Sequence, residues 1–243
     1  MADPVYTKRA RLPVFLTRGR DNAIEIAIYD SAGDIAAPAS GTIDIYRADG
    51  QKAVDGAAVV VSASKATYTV PAAALPATQS FSGLWQVRWH LAYGGATYTF
   101  EEPAHLVRWI LRAPAAEADL TDRHQDIADL IDTGDDLSQF LRVAWEQIVR
   151  RLLRDSRAPS LILDSFALMD LQVYKALEAL FMDAASSAGS GRYQELAEHY
   201  AGLFEAEWGQ ITWTYDADGD GLPDADERGT AGSPSLWLAP ARG

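Results

Sequence analysis

Apolar and polar residues alternate through most of residues 12–112, the period of strands with one buried face. Ile24, Ile26 and Ile28 alternate with Ala23, Glu25 and Ala27, and Ile43 and Ile45 with Thr42, Asp44 and Tyr46. Val59–Val61, Thr67–Val70, Trp85–Leu91 and Thr97–Phe100 continue the pattern. Turn formers separate these stretches: Arg18–Asn22, Asp30–Asp34, Ala48–Gly50 and Tyr93–Gly95. The Gly94–Gly95 pair between two aromatic strands is a hairpin signal, because both glycines tolerate positive φ. The pattern predicts an all-β module of about seven or eight short strands.

Beyond residue 113 the period changes from two to between three and four. Residues 114–118, Pro-Ala-Ala-Glu-Ala, read as a linker. Thr121 is the expected cap of a short helix over 122–131, ended by Gly134. Asp135 or Asp136 caps the next, whose stripe is Leu137, Phe140, Leu141, Ala144, Ile148 and Leu152. Arg150, Arg151, Arg154 and Arg157 crowd its last turns, where cations complement the helix dipole, and Pro159 stops it. A third helix is expected from about Asp164. Phe166, Met169, Leu171, Val173, Tyr174, Leu177, Leu180 and Phe181 make it apolar over more than half its circumference, as for a central helix. Residues 188–191 break it. Tyr193, Leu196, Tyr200, Leu203, Phe204 and Trp208 stripe a fourth helix, closed by Gly209. Ile211–Tyr215 then alternates as a strand. The expected architecture is an all-β, immunoglobulin-like β-sandwich (1–113), a linker (114–118), a four-helix bundle with a C-terminal strand (119–215) and an acidic loop with an extended tail (216–243).

Charge sharpens this division. The net charge is −13, yet residues 1–113 carry 11 Lys+Arg against 10 Asp+Glu, and residues 114–243 carry 10 against 24. Such an acidic module repels nucleic-acid phosphates instead of releasing their counterions. The chain has no cysteine, which excludes disulfides, thiolate metal sites and thiol nucleophiles. No apolar run is long enough for a membrane span, and the first residues have no apolar signal-peptide core. His90, His105, His124 and His199 are not spaced as metal ligands. There is no G-x-S-x-G, phosphate-cradling glycine loop or H-E-x-x-H, so catalysis is not expected.

One motif carries sharp chemistry. Residues 216–227, Asp-Ala-Asp-Gly-Asp-Gly-Leu-Pro-Asp-Ala-Asp-Glu, fit the twelve-residue calcium loop. Asp216, Asp218, Asp220, Asp224 and Glu227 supply carboxylates at positions one, three, five, nine and twelve. The Leu222 carbonyl stands at position seven and Gly221 at the sharp turn. Calcium is favoured over magnesium, which asks for a stricter octahedron. Pro223 departs from the usual apolar position eight, and a strand precedes the loop instead of a helix. The competing reading is a solvated turn, since turns favour Asp and Gly. Further on, Leu236, Trp237 and Leu238 stand in a Gly/Pro-rich tail. They either fold back on their own domain or anchor in a partner's pocket, where aromatics dominate binding.

Two resemblances follow from these residues. The β module is immunoglobulin-like in outline. Its Leu16-Thr-Arg-Gly-Arg-Asp21, Ile24–Gly33 and Gly83-Leu-Trp-Gln-Val-Arg-Trp89 stretches resemble the immunoglobulin-like domains of phage tail and baseplate proteins. Residues 119–238 carry Asp119-Leu-Thr, then the Arg-tailed helix, Asp170-Leu-Gln-Val-Tyr-Lys-Ala-Leu177 and Tyr193–Trp208. That order resembles the helical head–tail connector (adaptor, neck) proteins of tailed bacteriophages. The resemblance implies a structural virion protein at the neck, assembled in the host cytoplasm as a homo-oligomeric ring, expected to be a dodecamer. Its partners would be the portal protein and a stopper or tail-completion protein, with DNA passing an acidic channel without specific binding and no membrane involved. The alternative is a calcium-dependent binding module of a phage tail, baseplate or cell-surface protein.

Overall fold

The computed structural model describes residues 6–8, 12–76, 78, 81–130, 136–155, 157–188, 191–216 and 228–230. The chain divides into two compact units, Met1–Ile110 and Leu111–Gly243. The expected linker is not a free connector. In the second unit Leu111 is buried, the Ala115 N–H donates to Gln172 Oε1 (3.0 Å), and a helix has begun by Glu117.

The first unit contains β1 (Thr7–Lys8), β2 (Val14–Thr17), β3 (Asn22–Ile26), β4 (Ile28–Tyr29), β5 (Ile35–Ala36), β6 (Ser40–Tyr46), β7 (Lys52–Ala58), β8 (Val60–Val61), β9 (Ala66–Val70), β10 (Ser82–Tyr93) and β11 (Ala96–Val107). They form three sheets, ordered β1-β4-β5, β2-β11-β10-β6-β7 and β3-β9-β8, with β2 parallel to β11. This corrects the expected two-sheet immunoglobulin-like sandwich. The apolar series Ile24, Ile26, Ile28 looks like one strand, but Ala27 interrupts it. Residues 22–26 pair with β9, while Ile28 and Tyr29 pair with β1 and β5. All three isoleucines stay buried across the switch, so side-chain alternation carries no trace of the change in hydrogen-bond partner.

One core unites the three sheets, built on Leu16, Ile26, Ile28, Ile43, Ile45, Trp85, Val87, Trp89 and Leu91. The long β10–β11 hairpin turns at Gly94 and Gly95, whose φ values of 58° and 87° meet the demand of a two-residue turn. Trp89 Nε1 donates to the buried Glu102 carboxylate (2.9 Å). Asp44 ties β6 to an irregular stretch of β7: it accepts from the Gly56 N–H (2.7 Å), from Lys52 Nζ (3.0 Å) and lies 3.3 Å from His90 Nε2. Burial pushes the Asp44 carboxyl up, but these partners together outweigh it and hold it below the usual range.

The second unit contains α1 (Glu117–Arg123), α2 (Leu137–Arg154), α3 (Met169–Ala188), α4 (Gly191–Gln210), β12 (Trp213–Thr214) and β13 (Arg228–Thr230), with 3₁₀ turns at Gln125–Leu130, Pro159–Leu161 and Phe166–Leu168. It is not the expected four-helix bundle. At 1.5 Å per residue α1 is only about 10 Å long, against about 30 Å for α3, so it cannot line a bundle. It starts earlier than predicted, with the Asp119 carboxylate accepting the Ala116 N–H (2.7 Å), and Thr121 lies inside it. His124 takes an extended conformation that ends it, its ring edge-on to Phe181 at 5.1 Å. The remaining three helices pack with α3 between α2 and α4.

Asp136 caps α2 by accepting the Ser138 N–H (2.9 Å), and the predicted Leu137, Leu141, Ala144, Ile148 and Leu152 are buried. The central helix buries Leu171, Val173, Leu177, Leu180 and Phe181, but Phe166, expected in the same stripe, is 72% exposed. Asp164 explains this: it accepts the Phe166 N–H (2.9 Å) and opens a 3₁₀ turn whose phase differs from that of α3.

Candidate functional site

Of the predicted cation ligands, Asp216 lies within the described residues; Asp218, Asp220, Leu222, Asp224 and Glu227 lie outside them, as do Leu236, Trp237 and Leu238. Asp216 is 1% exposed, an unusual place for a carboxylate. Its N–H donates to Leu161 O (2.8 Å), next to the Leu163 N–H to Thr214 O bond (3.0 Å) and the Ile162–Tyr215 bridge. On its other edge this segment pairs antiparallel with β13, Trp213 opposite Thr230 and Thr214 opposite Arg228. The described residues on either side of 217–227 are therefore held side by side. Among the described residues, no group of three or more His, Asp or Glu side chains is arranged to hold a metal.

The histidines occupy separate surroundings. His90 contacts Thr99 Oγ1 (2.9 Å) and Asp44 on the outer face of β10. His105 is buried against Phe15, and burial pushes its imidazole down to about 4. His199 is exposed beside Tyr200.

A different site stands out in the helical unit. Arg150, Arg151 and Arg154 of α2, Lys175 of α3, and Phe204 and Glu205 of α4 line a cleft of about 370 Å³. The sequence marks the arginines as a dipole-complementing cluster, but Lys175 and Glu205 join them only through helix packing. Arg151 is the fixed member. Its two terminal nitrogens fork onto the Glu205 carboxylate at 2.5 and 2.7 Å, and its guanidinium lies over Trp208 (4.3 Å) and Phe204 (5.2 Å). The Arg151 hydrogen bonds hold the Glu205 carboxyl below the usual range. Arg150 and Arg154 are more open, with side chains 52% and 73% exposed and carboxylates at 3.6 Å (Glu146) and 3.5 Å (Asp155). Lys175 is half-buried and bonds Glu178 (2.7 Å).

Among the described residues, no helix is long and apolar enough to cross a membrane. No protein-family model and no curated protein matches this sequence.

Proposed function

We propose that this chain is a structural connector of a tailed-phage-like particle, a ring-forming neck protein between portal and tail. The observation that carries the reading is the coincidence of charge with architecture. The β unit, residues 1–110, holds 10 Lys+Arg and 10 Asp+Glu, whereas the helical unit holds 11 against 24. The whole charge excess sits on one unit. A ring of such units presents a negative wall that lets DNA pass without adhering, because like charges retain the duplex counterions. The order of the long helices and the Arg-rich end of α2 support the same reading. The portal and a stopper or tail-completion protein are the proposed neighbours, with Leu236, Trp237 and Leu238 as the anchor. Electron micrographs of the purified chain, alone and mixed with portal rings, test this: closed rings that stack on the portal are expected. Monomers that bind glycans or cell surfaces would refute it.

A calcium-dependent module is the second reading, favoured by the burial of Asp216 and the strand pair flanking 217–227. It is compatible with the connector if the cation stiffens the exit toward the tail. Calorimetry with calcium tests it: binding heat is expected, and its absence, with an unchanged melting temperature on Asp216→Asn plus Asp220→Asn, would exclude it.

A further inference from the structure

Residues 111–130 open the helical unit and are fastened to it at separate points. Leu111 is buried in one apolar cluster with Ile148 and Leu152; Leu120 and Ile127 are buried in another with Leu177, Phe181 and Tyr200. Arg123 lies over the Tyr174 ring (5.3 Å) and pairs with Asp170, and His124 meets Phe181 edge-on. Between the apolar anchors stands a polar one. Gln172 of α3 is 1% exposed; its Oε1 accepts the Ala115 N–H (3.0 Å) and its Nε2 donates to Leu141 O of α2 (3.1 Å). We propose that residues 111–130 form a lid, with Gln172 as its catch, which opens as one piece while α2, α3 and α4 stay folded.

Three features give the lid this behaviour. Its helix α1 has seven residues, and helices shorter than about 12–15 residues are marginal in water by themselves, so the stretch loses its order together once its anchors let go. The Arg123–Asp170 pair is exposed, and pairs of that kind hold an element weakly. The catch is a hydrogen bond. Opening hands the Ala115 N–H and Gln172 Oε1 to water, an exchange close to balance, whereas drawing Leu120 and Ile127 out of the core is not. The long helices keep their own contacts when the lid leaves. Phe181 and Tyr193 stay stacked between α3 and α4, as do Tyr174 and Tyr200, and Ile148, Phe204 and Trp208 stay in one cluster. What the lid uncovers is aromatic: Tyr174 and Phe181, the rings that Arg123 and His124 touch.

Native-state hydrogen exchange of the full chain, read by mass spectrometry across a low-urea series, tests the lid and does not depend on the connector reading. Peptides within 111–130 are expected to exchange together, about tenfold or more faster than those of α3 and α4. Gln172→Leu removes both bonds of the catch at similar volume. It should speed exchange in 111–130 by about a further tenfold and leave α4 peptides as they are in wild type. Leu120→Ala loosens the lid with the catch in place and should have the same selective effect. Trypsin gives an independent reading: Arg112 is exposed on the lid and Arg150 and Arg154 on α2, so cleavage after Arg112 should come first and quicken in either variant. Exchange of 111–130 only in the global unfolding transition overturns the lid. So does a Gln172→Leu change that strips protection equally from α4, which makes Gln172 an ordinary core residue, or a Leu120→Ala change that quickens nothing. Should Gln172→Leu fail to fold, the wild-type urea series and Leu120→Ala decide by the same criteria.

Discussion

Truncating Phe181 to alanine tests the central packing of the helical unit. The Phe181 ring is fully buried in α3. It lies parallel to Tyr200 (5.6 Å, 2° between planes), near-parallel to Tyr193 (6.3 Å), and receives the edge of His124 (5.1 Å). A buried Phe→Ala costs about 3–5 kcal/mol, from lost transfer free energy and the cavity left behind. Each aromatic pair adds about 0.5–1.5 kcal/mol beyond its area, which places this site in the upper half of that range. Against a typical total of about 5–15 kcal/mol the loss is severe but survivable. Urea unfolding followed at 222 nm reads the helical unit, and with a slope of about 2 kcal/mol/M the midpoint should fall by about 2 M. Phe166→Ala is the internal control: its ring is 72% exposed, and the change should stay within about 0.5 kcal/mol. A Phe181→Ala loss under about 1.5 kcal/mol, or an equal loss from Phe166→Ala, would refute the three-helix packing.

Other expectations can be checked with the same melts. Trp89→Phe keeps an aromatic ring in the core but removes the donor to buried Glu102, and should cost about 1.5–3 kcal/mol; a neutral result would show that Glu102 is satisfied elsewhere. His105 titrates at about 4 when folded, below its ordinary 6.5, so the unfolded chain binds more protons between those values. Stability should therefore fall as pH drops from about 6.5 to about 4, by roughly 2–4 kcal/mol, and His105→Gln should flatten that part of the profile. The lowered Asp44 and Glu205 carboxyls act at lower pH, through and below their ordinary values of 3.8 and 4.5. Arg151→Met leaves Glu205 without its fork; because Glu205 is exposed, the ion-pair loss should be under about 1 kcal/mol, with Trp208 fluorescence reporting the lost stacking.

Side-chain periodicity located both kinds of unit, and it did so where burial is one-sided. Ile43, Trp89 and Leu91 in the β unit and Leu141, Ile148 and Leu177 in the helical unit sit where alternation or helical spacing puts them. What it missed is carried by the backbone. Nothing in Ile24-Glu-Ile-Ala-Ile28 announces that the hydrogen-bond partner changes at Ala27 and a third sheet begins. Nothing in Asp122–Ile131 announces that His124 ends a seven-residue helix, which removes the fourth bundle member. Phe166 entered the stripe because spacing does not register the 3₁₀ turn that Asp164 starts. The cleft was half legible: the arginines stand within five residues of one another in the chain, but Lys175 and Glu205 join them only once α3 and α4 pack. Of the 216–227 motif the structure describes Asp216, which is buried, and it pairs Trp213–Thr214 with Arg228–Thr230 on either side, neither of which the spacing announces.

The connector account stands most directly on oligomeric state. Native mass spectrometry of the full chain across a concentration series reads it. One closed assembly of fixed stoichiometry, an integer multiple of 26.4 kDa, is the predicted result. A single species at 26.4 kDa throughout, at low salt and with or without calcium, would contradict it.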